Sequence, residues 1–204
     1  MDQELLTIFN EERQILGTRS RAEVHTHGYW HETFHCWFFR READKIYLLF
    51  QLRAASKKDY PLKLDITAAG HLLAGETPAD GIREITEELG VVVNYDDLLP
   101  VDIIPVSFEM EGFIDREFCH IYLYHYQAPI PGFVLQEEEV ADVVSVEINT
   151  LTALLSGEKP RINGLSCVRS FSSGQLITFD EHDLAPYTHT YITKLLQALR
   201  QYQI

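Results

Sequence analysis

Runs of alternating and of continuous apolar residues divide the chain into short strands and a few helices. Leu5 to Phe9 and Ile15 to Thr18 flank the polar stretch Asn10-Glu11-Glu12-Arg13, a pattern that predicts a hairpin. Thr33 to Arg40 (TFHCWFFR) and Lys45 to Arg53 (KIYLLFQLR) are aromatic and aliphatic around a charged turn. They predict a second hairpin with one strand nearly fully buried. Leu64 to Ala69 reads as a further strand ahead of a glycine-bearing loop. Pro78 to Leu89 carries helical punctuation: Thr77 as cap, Pro78 at the first position, Asp80 near the positive end, and Gly90 for the left-handed exit. Ile82, Ile85 and Leu89 supply its apolar stripe.

Strands are expected near Leu99 to Phe108 and Phe113 to Tyr126, joined by a Glu111-Gly112 turn, and again over Val143 to Ile148. Asn149 to Ser156 predicts a short helix capped by Asn149, whereas Lys159 to Pro186 has no clear period. Thr188 to Gln201 predicts an amphipathic closing helix with Ile192, Leu195, Leu196 and Leu199 on one face. Strands mixed with a few helices indicate an α/β or α+β layered domain.

Composition narrows the class. A chain of 204 residues with 46% hydrophobic and 24% charged residues fits one domain with an appendage and a self-sufficient core. The formal charge of −14 argues against general binding to nucleic-acid backbone, which needs clustered Lys and Arg. No apolar run approaches a membrane span, and MDQELLTIFNEERQ lacks the basic-then-apolar layout of a signal peptide. Cys36, Cys119 and Cys167 are few, odd in number and widely spaced, which suits a reducing cytoplasm. A cytoplasmic protein is expected, with neither nucleic acid nor membrane as partner.

The most informative stretch is Gly70 to Val91, GHLLAGETPADGIREITEELGV. Glu84, Glu87 and Glu88 stand at i, i+3 and i+4, so on a helix all three carboxylates share one face while Ile82, Ile85 and Leu89 bury the other. Three anions held close repel each other unless a cation sits among them, and hard Mg²⁺ or Mn²⁺ prefers such oxygens. A glutamate-rich helix by itself is ordinarily a solvated face.

The segment resembles the signature of the Nudix hydrolases, G-x5-E-x7-R-E-U-x-E-E-x-G-U with U aliphatic. Arg83, Glu84, Ile85, Glu87, Glu88, Gly90 and Val91 match its second half, and Gly70 and Glu76 its first. Between Glu76 and Arg83 lie six residues where the pattern has seven. The Glu76–Arg83 pairing and the Gly70 carbonyl are therefore the points the structure decides. The resemblance covers about residues 30 to 158 of a single domain, with 1–29 as N-terminal strands. It implies an α/β/α sandwich around a mixed sheet, hydrolysis of a small-molecule diphosphate substrate, and Mg²⁺ (or Mn²⁺) held by Glu84, Glu87, Glu88 and Gly70, with one glutamate as base. Arg83 would orient the glutamates, a structural role shared with Glu76 and Gly90. The tail, about 159–204, exceeds the minimal domain; it is left to cover the core or to form a homodimer contact.

A second resemblance, to Nudix proteins related to isopentenyl-diphosphate isomerase, rests on Glu23-Val24-His25, Gly28-Tyr29-Trp30-His31, His35-Cys36-Trp37, Asp65 to His71 and Phe113 to Phe118. In true isomerases a histidine cluster and two acids hold a metal, while a cysteine and a glutamate exchange protons across a double bond. His31, His71, Asp115 and Glu117 have counterparts here, with His25 placed less securely. Ala69 stands where the cysteine belongs, and a methyl group delivers no proton. The full glutamate set also favours hydrolysis over isomerisation. A histidine-bearing metal site, with His71 its leading member, and a non-catalytic nucleotide or diphosphate sensor are further readings. Glu117 is the candidate fourth catalytic carboxylate, and Arg53 and Lys57 are the candidate phosphate-binding cations.

Overall fold

The computed structural model describes residues 4–128, 132–168 and 175–201. In order these form β1 (Leu5–Phe9), β2 (Ile15–Ser20), α1 (Arg21–His27), β3 (Trp30–Glu42), β4 (Lys45–Arg53), β5 (Leu64–Asp65), β6 (Ala68–His71) and α2 (Arg83–Leu89). There follow β7 (Leu99–Met110), β8 (Phe113–His125), β9 (Val140–Glu147), α3 (Ile148–Leu155), β10 (Ile162–Ser166), β11 (Leu176–Phe179) and α4 (His189–Gln201). Among the described residues eleven strands make one sheet, mixed because β3 runs parallel to β8 while its other neighbours are antiparallel.

Side chains alternate across β3. Phe34, Cys36 and Phe38 pack with Ile85 and Leu89 of α2, whereas Trp37 and Phe39 pack on the opposite face with Leu151, Leu154, Leu195 and Leu199 of α3 and α4. Helices therefore cover both faces, as the α/β/α expectation requires. The described part of the tail lies over the core, with Tyr191, Leu195, Leu196 and Leu199 buried. No helix among the described residues is long and apolar enough to cross a membrane.

Four local readings are corrected. The pattern predicts no helix over 21–27, yet Ser20 and Glu23 form a reciprocal capping box and Gly28 exits in the left-handed conformation. The expected Pro78–Leu89 helix begins regular α structure only at Arg83, after a turn and a 3-10 segment, Asp80–Ile82. There Gly81 lies so close to Phe34 that a Cβ would fall 2.6 Å from it, and Thr77 donates to the Asp80 carboxylate rather than capping an α-helix. The α3 cap is Glu147, which accepts from Asn149 and Thr150, not Asn149. The unperiodic stretch 159–186 holds β10 and β11; its residues 169–174 lie outside the described chain.

The sheet forks at one place. β3 pairs with β4 from Phe38↔Leu49 to Glu42↔Lys45, then the strands part. The expected strand from Leu64 is split to fill the gap: β5 pairs with β4 and β6 with β3. Between them the buried Thr67 hydroxyl accepts from Phe38 N–H (2.9 Å) and donates to Leu49 O, bridging the last register pair. Thr67→Val removes that bridge and should lower the unfolding free energy by about 1–3 kcal/mol. Urea denaturation measures it; a change below ~0.5 kcal/mol, the range of an ordinary surface substitution, contradicts the role.

Candidate active site

A cavity of about 440 Å³ opens at the fork. Because the strands part there, carboxylates from α2 on one face and side chains of β3 and β8 from the other line a single space. Its less polar wall comes from Val106, Phe108, Phe113 and Tyr60, and its far side from Ala185, Pro186, Tyr187 and Tyr191 ahead of and on α4.

The α2 carboxylates are held by close packing and by one arginine. A Cβ on Gly70 would stand 2.1 Å from Glu84 Oε1, so only glycine admits that carboxylate. Arg83 Nη1 contacts Glu84 (2.7 Å) and Glu87 (3.4 Å), its Nε donates to Glu76 (3.0 Å), and its Nη2 donates to the His71 carbonyl (3.0 Å). The Glu76–Arg83 pair forms despite the shortened interval. A turn plus 3-10 structure rises further per residue than an α-helix, so six residues cover the distance. Glu88 is 7% exposed and accepts from Ala69 N–H at 3.3 Å, while Glu87 faces outward. Burial pushes the Glu84 carboxyl up to about 7, with the Glu87 charge adding to it against the pull of Arg83, and pushes Glu88 well above the usual carboxylate range. Gly90 ends the helix at φ 66°, as expected.

The parallel register His31↔Glu117 brings a second set together. His25 Nε2 and His31 Nε2 each lie 3.6 Å from Asp115 Oδ1, and His31 Nε2 lies 3.9 Å from Glu117 Oε1. The His71 ring joins them, 5.3 Å from His25 and 5.1 Å from His31. His25 Nδ1 meets the Arg21 carbonyl (2.8 Å) and His31 Nδ1 the Tyr29 carbonyl (3.1 Å). A carbonyl only accepts, so both rings carry hydrogen on Nδ1 and turn Nε2 toward Asp115. Buried His31 Nε2 and Asp115 Oδ1 have no hydrogen-bond partner among the described residues. Burial holds His31 down at about 3 and His71 well below the usual histidine range, so both are neutral. It raises Asp115, and it raises Glu117 well above the carboxylate range with the Asp115 charge adding.

The site residues expected from the sequence thus line one cavity, but not around one point. His71 belongs with His25 and His31, not with the α2 glutamates. Lys57 is paired with Glu139, and all three guanidinium nitrogens of Arg53 are engaged, Nη1 by Asp65 (2.8 Å) and Nε and Nη2 by the Asp59 carbonyl (3.1 and 2.9 Å). Asp65 in turn accepts from Tyr187 at 2.6 Å, a partner no local sequence signal marks. Among the described residues, nine carboxyl groups line the cavity (Glu4, Asp59, Asp65, Glu84, Glu87, Glu88, Asp115, Glu117, Glu139) against Arg21, Arg53, Lys57 and Arg83. That excess of acid, the His31 Nε2 lone pair turned on Asp115 and the Gly70 cradle fit divalent cations: oxygen donors at α2 suit hard ions, imidazoles suit borderline ones.

The sequence is 38% identical over 210 residues to an uncharacterized Nudix hydrolase of Clostridium acetobutylicum, covering 98% of each chain. It is 36% identical over 148 residues to Nudix hydrolase 3 of Arabidopsis thaliana, which spans 70% of this chain and 19% of that longer protein. The isopentenyl-diphosphate Delta-isomerase of Corynebacterium diphtheriae is 32% identical over 157 residues, covering 74% of this chain and 82% of its own. Among solved structures, a Deinococcus radiodurans protein aligns with a TM-score of 0.55 at 20% identity, covering 76% of this chain and 91% of that one. A MutT/nudix family protein from Enterococcus faecalis aligns at 0.51 and 14% identity, covering 83% and 61%. At those identities the structural likeness concerns the fold alone. No family model matches the sequence.

Two outcomes are expected of the α2 cage. Glu84 and Glu88 must lose protons to hold a cation, so with Glu84 at about 7 the Mg²⁺ affinity should rise as pH increases from about 6 to about 8. Below the carboxyl pKa the gain is about tenfold per pH unit per proton displaced. Titration calorimetry at several pH values reads it, and a flat profile contradicts the assignment. Gly70→Ala should displace Glu84 and weaken Mg²⁺ binding at least ~10-fold, at a stability cost under ~1 kcal/mol because a flexible side chain yields. Unchanged metal affinity in that variant would show that the cradle does not set the cage.

Proposed function

Because the chain belongs to the Nudix hydrolase family, we propose that it uses Mg²⁺, with Mn²⁺ able to replace it, to hydrolyse the diphosphate linkage of a nucleoside diphosphate derivative or another organic diphosphate. The observation that carries this reading is the packing of Glu84 on Gly70, with Glu88 beside it and the Glu76–Arg83 pair intact. The intact Glu76–Arg83 pair supports this reading over a non-catalytic sensor.

Glu84, Glu87 and Glu88, with the Gly70 carbonyl, would hold the cation. When bound, it supplies positive charge to the diphosphate oxygens and acidifies water. Arg83 keeps Glu84 and Glu87 aligned. A carboxylate, Glu117 or one of the α2 set, takes a proton from the attacking water as its oxygen bonds to phosphorus. The phosphorus–oxygen bond to the leaving phosphate then breaks. Arg53 and Lys57 would exchange their Asp59, Asp65 and Glu139 partners for phosphate oxygens in a cavity that otherwise repels anions. The organic part of the substrate packs on Phe108, Phe113 and Tyr60. His25, His31 and His71 would hold a second, borderline cation.

Isomerisation is the weaker reading. Cys119 does reach the cavity, yet its thiol lies 3.4 Å from Glu117 on the same strand. Two proton carriers side by side do not flank a double bond, and Ala69 occupies the opposite place.

With Mg²⁺ present, a panel of nucleoside diphosphate derivatives and prenyl diphosphates should give phosphate-ester products with at least one nucleotide substrate. Glu87→Gln and Glu88→Gln should each lower turnover about 10²- to 10⁴-fold. Full turnover in those variants, or in the presence of excess chelator, contradicts the mechanism.

A further inference from the structure

The two inward-facing histidines of β3, His31 and His35, meet different partners at Nδ1: a backbone carbonyl for His31 and a hydroxyl of the last helix for His35. Tyr191 of α4 places its hydroxyl 2.9 Å from Trp37 Nε1 and 3.0 Å from His35 Nδ1. An indole N–H only donates, so the phenol oxygen accepts there. If His35 Nδ1 also carried a hydrogen, Tyr191 would accept twice and its own buried hydrogen would have no acceptor. The complete arrangement has Trp37 donating to Tyr191 and Tyr191 donating to His35 Nδ1, which leaves the His35 hydrogen on Nε2. That nitrogen faces Glu117 Oε2 across 3.7 Å and borders the cavity.

We propose that the Trp37–Tyr191–His35 hydrogen-bond chain keeps a hydrogen on His35 Nε2, so that His35 positions the Glu117 carboxylate electrostatically across that 3.7 Å gap and is not a metal ligand. His35, Glu117 and Cys119 lie close enough together to hold an ion. The chain argues otherwise, since it consumes the Nδ1 lone pair and leaves a hydrogen on Nε2. His31, whose Nδ1 meets a carbonyl, offers the lone pair that His35 lacks. The positioning role rests on the hydrolytic reading of this cavity; the tautomer does not.

Side-chain ¹⁵N–¹H correlation spectra of the full Mg²⁺-loaded protein test it directly. His35 should be protonated on Nε2 and His25 and His31 on Nδ1, with Tyr191→Phe releasing His35 into a mixture. His35→Leu should lower kcat about 10- to 100-fold at unchanged KM and unchanged metal content, and His35→Gln, which keeps an N–H near the Nε2 place, should recover most of the loss. An Nδ1-protonated His35 in the wild-type protein overturns the chain while leaving the hydrolytic reading intact, as does loss of metal in His35→Leu. The expected tautomer in a protein without diphosphatase activity overturns the positioning role and the hydrolytic reading together.

Discussion

Two antiparallel neighbours ordinarily pair to their ends, because each unpaired backbone group in the interior costs free energy. β3 and β4 part after Phe38 and Leu49, and the Thr67 hydroxyl stands between that N–H and that carbonyl. The segment from Leu64 to His71 completes both ladders, the first half on β4 and the second on β3. Everything at the site follows from this fork. It carries Gly70 under Glu84, sets His71 beside His31, and opens the sheet so that groups from both faces line one space.

Such a space is electrostatically costly. Carboxylates that are buried together raise one another's pKa and repel anionic substrates. The chain tolerates this by holding Glu76, Glu84 and Glu87 around one guanidinium and by keeping buried histidines neutral. Neither device supplies the missing positive charge, which is the physical case for cations at α2 and at the histidine group. Burial of this kind is what functional sites accept at the expense of stability.

The tail is part of the site as well as its cover. Leu195 and Leu199 bury α4 on the α3 face, which fixes Tyr191 over His35 and Trp37, while Tyr187 reaches Asp65 and through it Arg53. A segment remote in sequence thereby orients groups on β3 and β4.

Much of this was legible in the chain alone. Alternation placed most strands, and the spacing of Glu84, Glu87 and Glu88 placed three acids on one side of α2. Those features depend on residues a few positions apart, whose relative direction the helix or strand period dictates. Local punctuation misled where tertiary contact prevailed: Pro78 and Thr77 suggest a helix start that Gly81, pressed on Phe34, moves to Arg83. Which nitrogen of each histidine faces the cavity, whether six residues suffice between Glu76 and Arg83, and which distant tyrosine meets His35 were decided only by the folded chain. Hydrogen bonds and close packing are set over a few ångströms, between groups that the sequence separates by as much as 156 positions.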